Sequence, residues 1–305
     1  MIIEIKGVEF ENKGAHLMLV AIVQQLNSRW PQALIALSHS SKASSAQRAA
    51  VASLRKIALR KHRLDLNALS YCVPRWIRQK MMAWGLVTEA DIDMIIDASG
   101  FSYSDQWPSK VRVLHVKNEL LRFNRHNKPY LFLPQAFGPF TTASSRRHIA
   151  DSFECAAMIC AREQSSYEHI KALTGSIPNL FQYGDFTNLA EGVVPKGFDR
   201  QQRWACIVPN KNMVNLRNVN GAWLPRYEEM LVEAIGYYAE LGLKPFFLNH
   251  EGDEDGALIT RVNAALKQPI PVVTEADPLS VKGIIGASEA VLCSRYHGCI
   301  SAMSQ

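Results

Sequence analysis

Short apolar runs alternate with stretches of helical period from one end of the chain to the other. IIEIKGV (2–8), ALIALS (33–38), DMIIDASG (93–100), PYLFLPQAFGPF (129–140) and MICARE (158–163) read as strands, the last parts of some running into loops. AHLMLVAIVQQLNSRW (15–30), RVLHVKNELLRFNRH (112–126), RHIADSFECA (147–156) and QSSYEHIKAL (164–173) read as helices. Strands buried on both faces are near-continuous apolar runs, and the helices between them are the crossovers that parallel strands require. The segment 184–203, with Gly192, Pro195 and Gly197, reads as a linker, and a second series of the same kind follows it. In that series WACIVPN (204–210), KPFFLNHE (244–251), PIPVVT (269–274) and AVLCSR (290–295) are strands, and 225–242, 253–268 and 278–288 are helices. The expected class is α/β, with two Rossmann-like domains facing a cleft: 1–185, a linker at 186–203, and 204–305. Polar residues at strand ends would converge in that cleft, where open α/β sheets bind ligands.

Charge is unevenly distributed. From Ser38 to Trp84 there are ten lysines and arginines (Lys42, Arg48, Arg55, Lys56, Arg60, Lys61, Arg63, Arg75, Arg78, Lys80) against one acid, Asp65. That segment is +9 in a chain of +6, so the rest sums to −3. One surface is therefore expected to be basic and to meet something anionic. Within it PRWIRQKMMAWGL (74–86) interleaves Trp76, Ile77, Met81, Met82 and Trp84 with Arg75, Arg78 and Lys80. On a helix this mixture suits a membrane interface, while a core-facing amphipathic helix is the plainer reading. No DNA- or RNA-binding module is recognisable, so nucleic acid is not expected as a partner. The N-terminus carries Glu4 and Lys6 inside its apolar stretch and is no signal peptide, and no apolar run approaches the roughly 18–20 residues that span a bilayer. The six cysteines include no C-x-x-C and read as reduced packing residues of a cytoplasmic protein.

Several strand-to-helix junctions carry side chains suited to chemistry. SRYHG at 294–298 is the foremost. A helix N-terminus favours an anion, Arg295 can grip a carboxylate or phosphate through two parallel hydrogen bonds, and His297 can carry a proton near neutral pH. Gly298 lets backbone approach a ligand, and Ser294 completes the segment. The alternative is a structural arginine and a helix-capping histidine. Arg162, at the start of REQSS, is a second possible anion clamp, with Ser165 or Ser166 as donors at the helix start; pairing with Glu163 or another acid is the alternative. The loop Asn12, Lys13, Gly14, Ala15, His16 lacks G-x-G-x-x-G and is no dinucleotide fingerprint, but it can contact phosphate or sugar. The run 97–107, with Asp97, Ser99, Tyr103, Asp105 and Trp107, mixes aromatic and polar side chains as sugar sites do; an ordered surface loop is the other reading. Asp253 and Asp255 form a D-x-D, read as first-turn acids that complement a helix dipole rather than as a metal site.

Together these segments resemble the polysaccharide pyruvyl transferase family, over nearly the whole chain. The resemblance rests on Asn12 to Ala15, DASGFSYSDQW (97–107), LPQAFGPF (133–140), CAREQSS (160–166), YGD (183–185), VPN (208–210), His250 with Glu251, and SRYHG (294–298), in that order. It implies a GT-B-like pair of domains and transfer of the enolpyruvyl group of phosphoenolpyruvate onto sugar hydroxyls. The product would be a pyruvate ketal on a polysaccharide or a lipid-linked glycan precursor. It places His297 and Arg295 at the catalytic centre, and Arg162, Arg295, Ser294, Gly298 and Asn210 around the donor. Asn12, Gly14, Ser99, Tyr103, Asp105 and Gln135 fall on the acceptor side. No metal or cofactor is expected, phosphoenolpyruvate being a co-substrate. The partners expected are phosphoenolpyruvate, a glycan acceptor, and an anionic membrane surface through residues 42–84 for a cytoplasmic, peripheral protein. Two departures stand out: the chain ends inside the helix after SRYHG, so the C-terminal domain reads as truncated, and Ala15 and His16 occupy the place of an acidic residue in many members. The alternatives are a nucleotide-sugar glycosyltransferase of GT-B fold and a non-catalytic glycan- or membrane-binding protein.

Overall fold

The computed structural model describes residues 1–38, 44–62, 64–106, 111–215 and 226–305. Lys42, Arg63, Trp107 and the Pro225 start of one expected helix lie outside the described residues. The chain divides into two compact units, Met1–Phe10 with Met18–Phe186, and Glu11–Leu17 with Thr187–Gln305.

The first unit is built on strands β1 (Ile2–Lys6), β2 (Leu34–Ser38), β3 (Leu54–Lys56), β6 (Leu86–Val87), β7 (Met94–Asp97), β8 (Tyr130–Gln135), β9 (Met158–Ala161) and β10 (Leu180–Gln182). They form one parallel sheet in the order β10-β9-β8-β7-β1-β2-β3-β6. A separate antiparallel ribbon pairs β4 (Arg60–Lys61) with β5 (Leu64–Asp65). The helices are α1 (Lys13–Arg29), α2 (Ser45–Ala50), α3 (Arg75–Ala83), α4 (Val111–Arg125), α5 (Ala143–Ala150) and α6 (Gln164–Thr174). The apolar alternation that predicts the sheet also supplies its core: Ile3, Ile95, Phe132 and Ile159 are fully buried on four neighbouring strands. Strands β3, β6 and β10 are two or three residues long, too short to leave a periodic signal, and the sequence reading does not contain them. The expected helix at 147–156 is in fact α5 followed by a 3-10 turn at Phe153–Cys155.

The sheet buries charge as well as hydrocarbon. Glu4 of β1 and Glu119 of α4 both contact the ammonium of Lys56, and Glu119 also contacts that of Lys6. Lys56 is 3% exposed and Glu4 wholly buried. Buried charges are tolerated when each meets an opposite partner. The expectation that all ten cations of 38–84 share one surface is corrected here: Lys56 belongs to the core. Asp97, also fully buried, accepts from Tyr103 Oη at 2.6 Å and Tyr130 Oη at 2.8 Å.

The second unit has strands β11 (Trp204–Val208), β12 (Lys244–Asn249), β13 (Val272–Thr274) and β14 (Ala290–Cys293), parallel in the order β13-β12-β11-β14. Helices α7 (Tyr227–Glu240), α8 (Gly252–Ala265), α9 (Pro278–Gly286) and α10 (Tyr296–Ser304) connect or follow them. Ile207, Phe247, Leu231 and Ile259 form one core layer, and Val208, Leu248, Val281 and Ile284 the other. Strand order switches between the parallel neighbours β11 and β14, so the C-terminal ends of these two strands leave a crevice between diverging connections, the position where open parallel sheets take ligands. Within the expected linker 186–203, Phe186–Leu189 form a 3-10 turn and 190–203 have no strand or helix, and Val193 N donates to Leu279 O of α9 at 2.9 Å.

Candidate functional site

The crevice of the second unit is lined from strand ends. After β11 comes Asn210, whose Nδ2 donates to Ser294 O at 2.9 Å, bridging the diverging connections of β11 and β14. Asn210 N and the Ser294 hydroxyl both meet Tyr227 Oη, the former donating at 3.1 Å and the latter accepting at 2.8 Å. Tyr227 is thereby a buried pin between α7 and both loops, and burial raises its phenol above the ordinary range.

Arg295 caps the N-terminus of α10 and is 8% exposed. Its Nη2 lies 2.6 Å from both carboxylate oxygens of Asp255, and its Nη1 pairs with Glu251. Asp255 also accepts Lys211 N at 3.0 Å. Burial pushes the Asp255 carboxyl up, to about 6, and the Arg295 guanidinium down, to about 10. The contacts act the other way on both groups, and an opposite charge at hydrogen-bond distance keeps this pair ionised. Arg295 Nε makes no hydrogen bond among the described residues. The guanidinium is thus held in one orientation by two acids with donor capacity left over. Beside it His250 is 6% exposed, and burial, with Arg295, His297 and Lys13 nearby, lowers its imidazole to about 3.

The loop after β1 belongs to this same site. Sequence periodicity places Gly14 in a loop, with the helix beginning after it; in the structure α1 begins at Lys13, and Gly14 lies in its first turn. Asn12 is the reason: its Oδ1 accepts Ala15 N at 3.1 Å, capping the helix, while its Nδ2 donates to Glu251 Oε1 at 2.8 Å. Gly14 sits directly against the His297 ring, where any Cβ would collide with Nδ1 and Cγ. Lys13 Nζ donates to Ala276 O at 2.8 Å, and burial lowers its pKa against the pull of Glu275 and Asp277. Burial, followed by Lys13, likewise lowers that of His16. Gly298 packs where a side chain would strike the Cys293 thiol. Cys293 Sγ donates to Arg295 O at 3.2 Å and Cys299 Sγ to Cys293 O at 3.4 Å, and the mutual influence of the two neighbouring thiols lowers Cys299, to about 7, and raises Cys293.

Of the residues singled out in the sequence, Asn12, Gly14, Asn210, Ser294, Arg295, His297 and Gly298 fall in this one unit. Ser99, Tyr103, Asp105, Gln135 and Arg162 fall in the other. There Arg162, at the end of β9, pairs with Asp185 at 3.3 Å and Glu163 at 3.2 Å. Ser99 lies at the β1/β7 reversal, its backbone against Gly7, whose φ of +76° and lack of Cβ permit the approach. Tyr103 is 4% exposed and part of the core. Asp105 accepts from Thr141 N, Thr142 N and Ser145 Oγ at 2.5–2.7 Å, tying its loop to the start of α5. Against the upward push of burial, these bonds hold its carboxylate below the usual range. Gln135 is fully buried, donating weakly to Asp97 O at 3.4 Å.

Sequence reasoning missed the acid cradle. In the sequence Glu251 figures only beside His250, and Asp255 reads as a dipole-complementing acid, although it is fully buried beside Arg295. The available signal was the spacing: Glu251 and Asp255 are four apart across the start of a helix, one turn on the same face. Tyr227 carried no signal, being one aromatic in an amphipathic helix. Among the described residues no group of three or more His, Cys, Asp or Glu is arranged to hold a metal ion. No helix among them is long and apolar enough to cross a membrane.

A family model described as polysaccharide pyruvyl transferase matches residues 12–305. No curated protein sequence matches the chain. Among solved structures, UDP-GlcNAc 2-epimerase from Methanocaldococcus jannaschii is similar with a TM-score of 0.55 at 12% identity, over 100% of this chain and 81% of that one. UDP-GlcNAc 2-epimerase from Neisseria meningitidis bound to UDP-GlcNAc is similar with a TM-score of 0.53 at 7% identity, over 96% and 77%. At such identities the likeness is one of fold, the α/β, GT-B-like class expected from the sequence.

Proposed function

The chain belongs to the polysaccharide pyruvyl transferase family, and we propose that it moves the enolpyruvyl group of phosphoenolpyruvate onto two hydroxyls of a glycan, forming a pyruvate ketal and releasing phosphate. Beyond the family match, the reading is supported by one convergence above all. Asn12 and Gly14, from the start of the sequence, meet Glu251 and His297 at the strand edge that carries Arg295.

The chemistry needs an anion site and a proton carrier. Phosphoenolpyruvate bears a carboxylate and a phosphate. The positive end of α10 and the remaining donors of Arg295 favour an anion at this edge, with Lys13 adding charge nearby. The first sugar hydroxyl attacks C2 of the donor while its methylene carbon takes a proton. The second hydroxyl then displaces phosphate from the same carbon, and both hydroxyl protons are given up. His297, steered by Gly14, is suited to carry one of these protons. Glu251 and Asp255 act as positioning residues, fixing the guanidinium before the donor arrives.

The test is to incubate the full chain with phosphoenolpyruvate and a panel of oligosaccharides, following phosphate release and the ketal methyl signal by NMR. His297→Ala is expected to lower turnover by about a hundred- to ten-thousand-fold. Phosphate release at the wild-type rate from that variant would remove His297 from the chemistry. A second reading, a nucleotide-sugar enzyme, is favoured by the fold shared with the Neisseria meningitidis protein bound to UDP-GlcNAc. Calorimetry separates the two: heat with UDP and none with phosphoenolpyruvate supports the second.

A further inference from the structure

The first unit carries an exposed face that the site does not use. Helix α3 has no buried residue, so the core-facing reading of this segment is corrected. Its half-buried side is Ile77, Arg78 and Met81; Arg75, Trp76, Gln79, Lys80, Met82 and Ala83 are exposed. Trp76 is 60% exposed, and Trp84, just beyond the helix, 84%. The helix is fastened by Arg78, which donates to Val73 O at 3.2 Å and pairs with Asp91. The preceding segment presents Leu64 and Leu69, 60% and 56% exposed. It is held by hydrogen bonds from Leu66 N to Leu59 O and from Leu59 N to Asn67 Oδ1, both 2.8 Å. Large apolar side chains held in the open by a fastened backbone mark an interaction surface.

Charge identifies the partner. Arg55, Arg60, Lys61, Arg75 and Lys80 are all exposed, while Asp65, the one acid between Ser38 and Trp84, is engaged by Arg122 at 2.9 Å. A second copy of the same face would bring like charges together. Nucleic acid would match the cations but leave Leu64, Leu69 and Met82 without apolar contact. An anionic lipid surface matches both: tryptophan rings settle at headgroup depth, short aliphatic side chains enter the acyl boundary, and lysine and arginine meet the headgroup phosphates. Lys80 Nζ stands 5.3 Å from the Trp76 ring centroid, presenting cation and indole together. We propose that the exposed side of α3 with Trp84, preceded in the chain by the exposed Leu64 and Leu69, is where this protein lies on an anionic membrane. This inference is independent of the reaction proposed above.

The experiment is co-sedimentation of the full chain with vesicles of phosphatidylcholine alone and of phosphatidylcholine mixed equally with phosphatidylglycerol. The expected result is binding to the mixed vesicles only, reversed by high salt. The charge reversal Arg75→Glu with Lys80→Glu should weaken partition by at least about thirtyfold, and Trp76→Ala with Trp84→Ala should weaken it even at low salt. All four positions are exposed, so both double variants should melt at the wild-type temperature, and that melt is the folding control. Equal binding to both vesicle types, binding unchanged in the double tryptophan variant, or binding to single-stranded RNA without binding to vesicles overturns the proposal. If either double variant melts low, the single variants Lys80→Gln and Trp84→Ser decide by the same criteria.

Discussion

At the scale of single residues, the site is an argument about buried charge. Arg295 stays ionised at 8% exposure because two acids face it, Asp255 wholly buried and Glu251 partly so. Removing the buried partner leaves the guanidinium with only the partly exposed Glu251, so Asp255→Asn should cost about 3 kcal/mol in urea unfolding. Glu251→Gln should cost less, because the Glu251 side chain is 29% exposed and solvent takes part of its place. His250 makes a second prediction, in pH. Its imidazole is lowered from 6.5 to about 3 by burial and by its cationic neighbours, so the folded chain keeps it neutral across that interval. An unfolded histidine takes up a proton near 6.5, so between the two values the unfolded state holds more protons and stability falls as pH drops. The stabilising contribution is whole above 6.5 and is lost progressively toward 3, by at most about 1.4 kcal/mol per unit. Unfolding free energies at about pH 7 and about pH 5 should therefore differ by about 2 kcal/mol more in wild type than in His250→Asn. Equal differences would mean that the imidazole is not held neutral.

At the scale of elements, α1 shows how one side chain can serve local and distant structure together. The Asn12 carbonyl oxygen caps the helix and its amide nitrogen reaches Glu251. Asn12→Ser keeps a cap and loses the reach, whereas Asn12→Ala loses both. The alanine variant should be about 1 kcal/mol less stable than the serine variant by denaturant midpoint. Strands such as β8 and β11 were legible because they carry four or more apolar residues in a row. Those that were not, β3, β6 and β10, take their place because a neighbouring strand offers an edge to pair with. Helix α3 was legible as amphipathic, but its period says only that it has two faces. Which face meets the protein depends on Arg78 finding Asp91, a contact that no periodicity contains.

At the scale of the whole molecule, the chain returns to its beginning to complete its second half. Residues Glu11–Leu17 group with Thr187–Gln305, so the second unit is not continuous in sequence. A fragment of residues 187–305 lacks Asn12 and Gly14, leaving Glu251 and His297 without those neighbours. It should melt below the full chain and bind phosphoenolpyruvate more weakly by calorimetry; equal affinity would mean that the loop after β1 takes no part in the donor site. Alternating apolar runs determined the α/β class by themselves, because burial of strand after helix has few other solutions. Strand-end position likewise made Arg295, His297 and Asn12 candidates for ligand chemistry, since strand ends and helix starts leave polar groups exposed, while Asn210 was a candidate through the family resemblance alone. The tertiary structure decided what those residues touch. Asp255 became the seat of Arg295 rather than a surface acid, Tyr103 a core hydroxyl on Asp97, and Lys56 a buried counter-charge. An ionisable side chain has no fixed preference in sequence: its place depends on whether folding brings an opposite charge within hydrogen-bond distance, and only the folded chain supplies that partner.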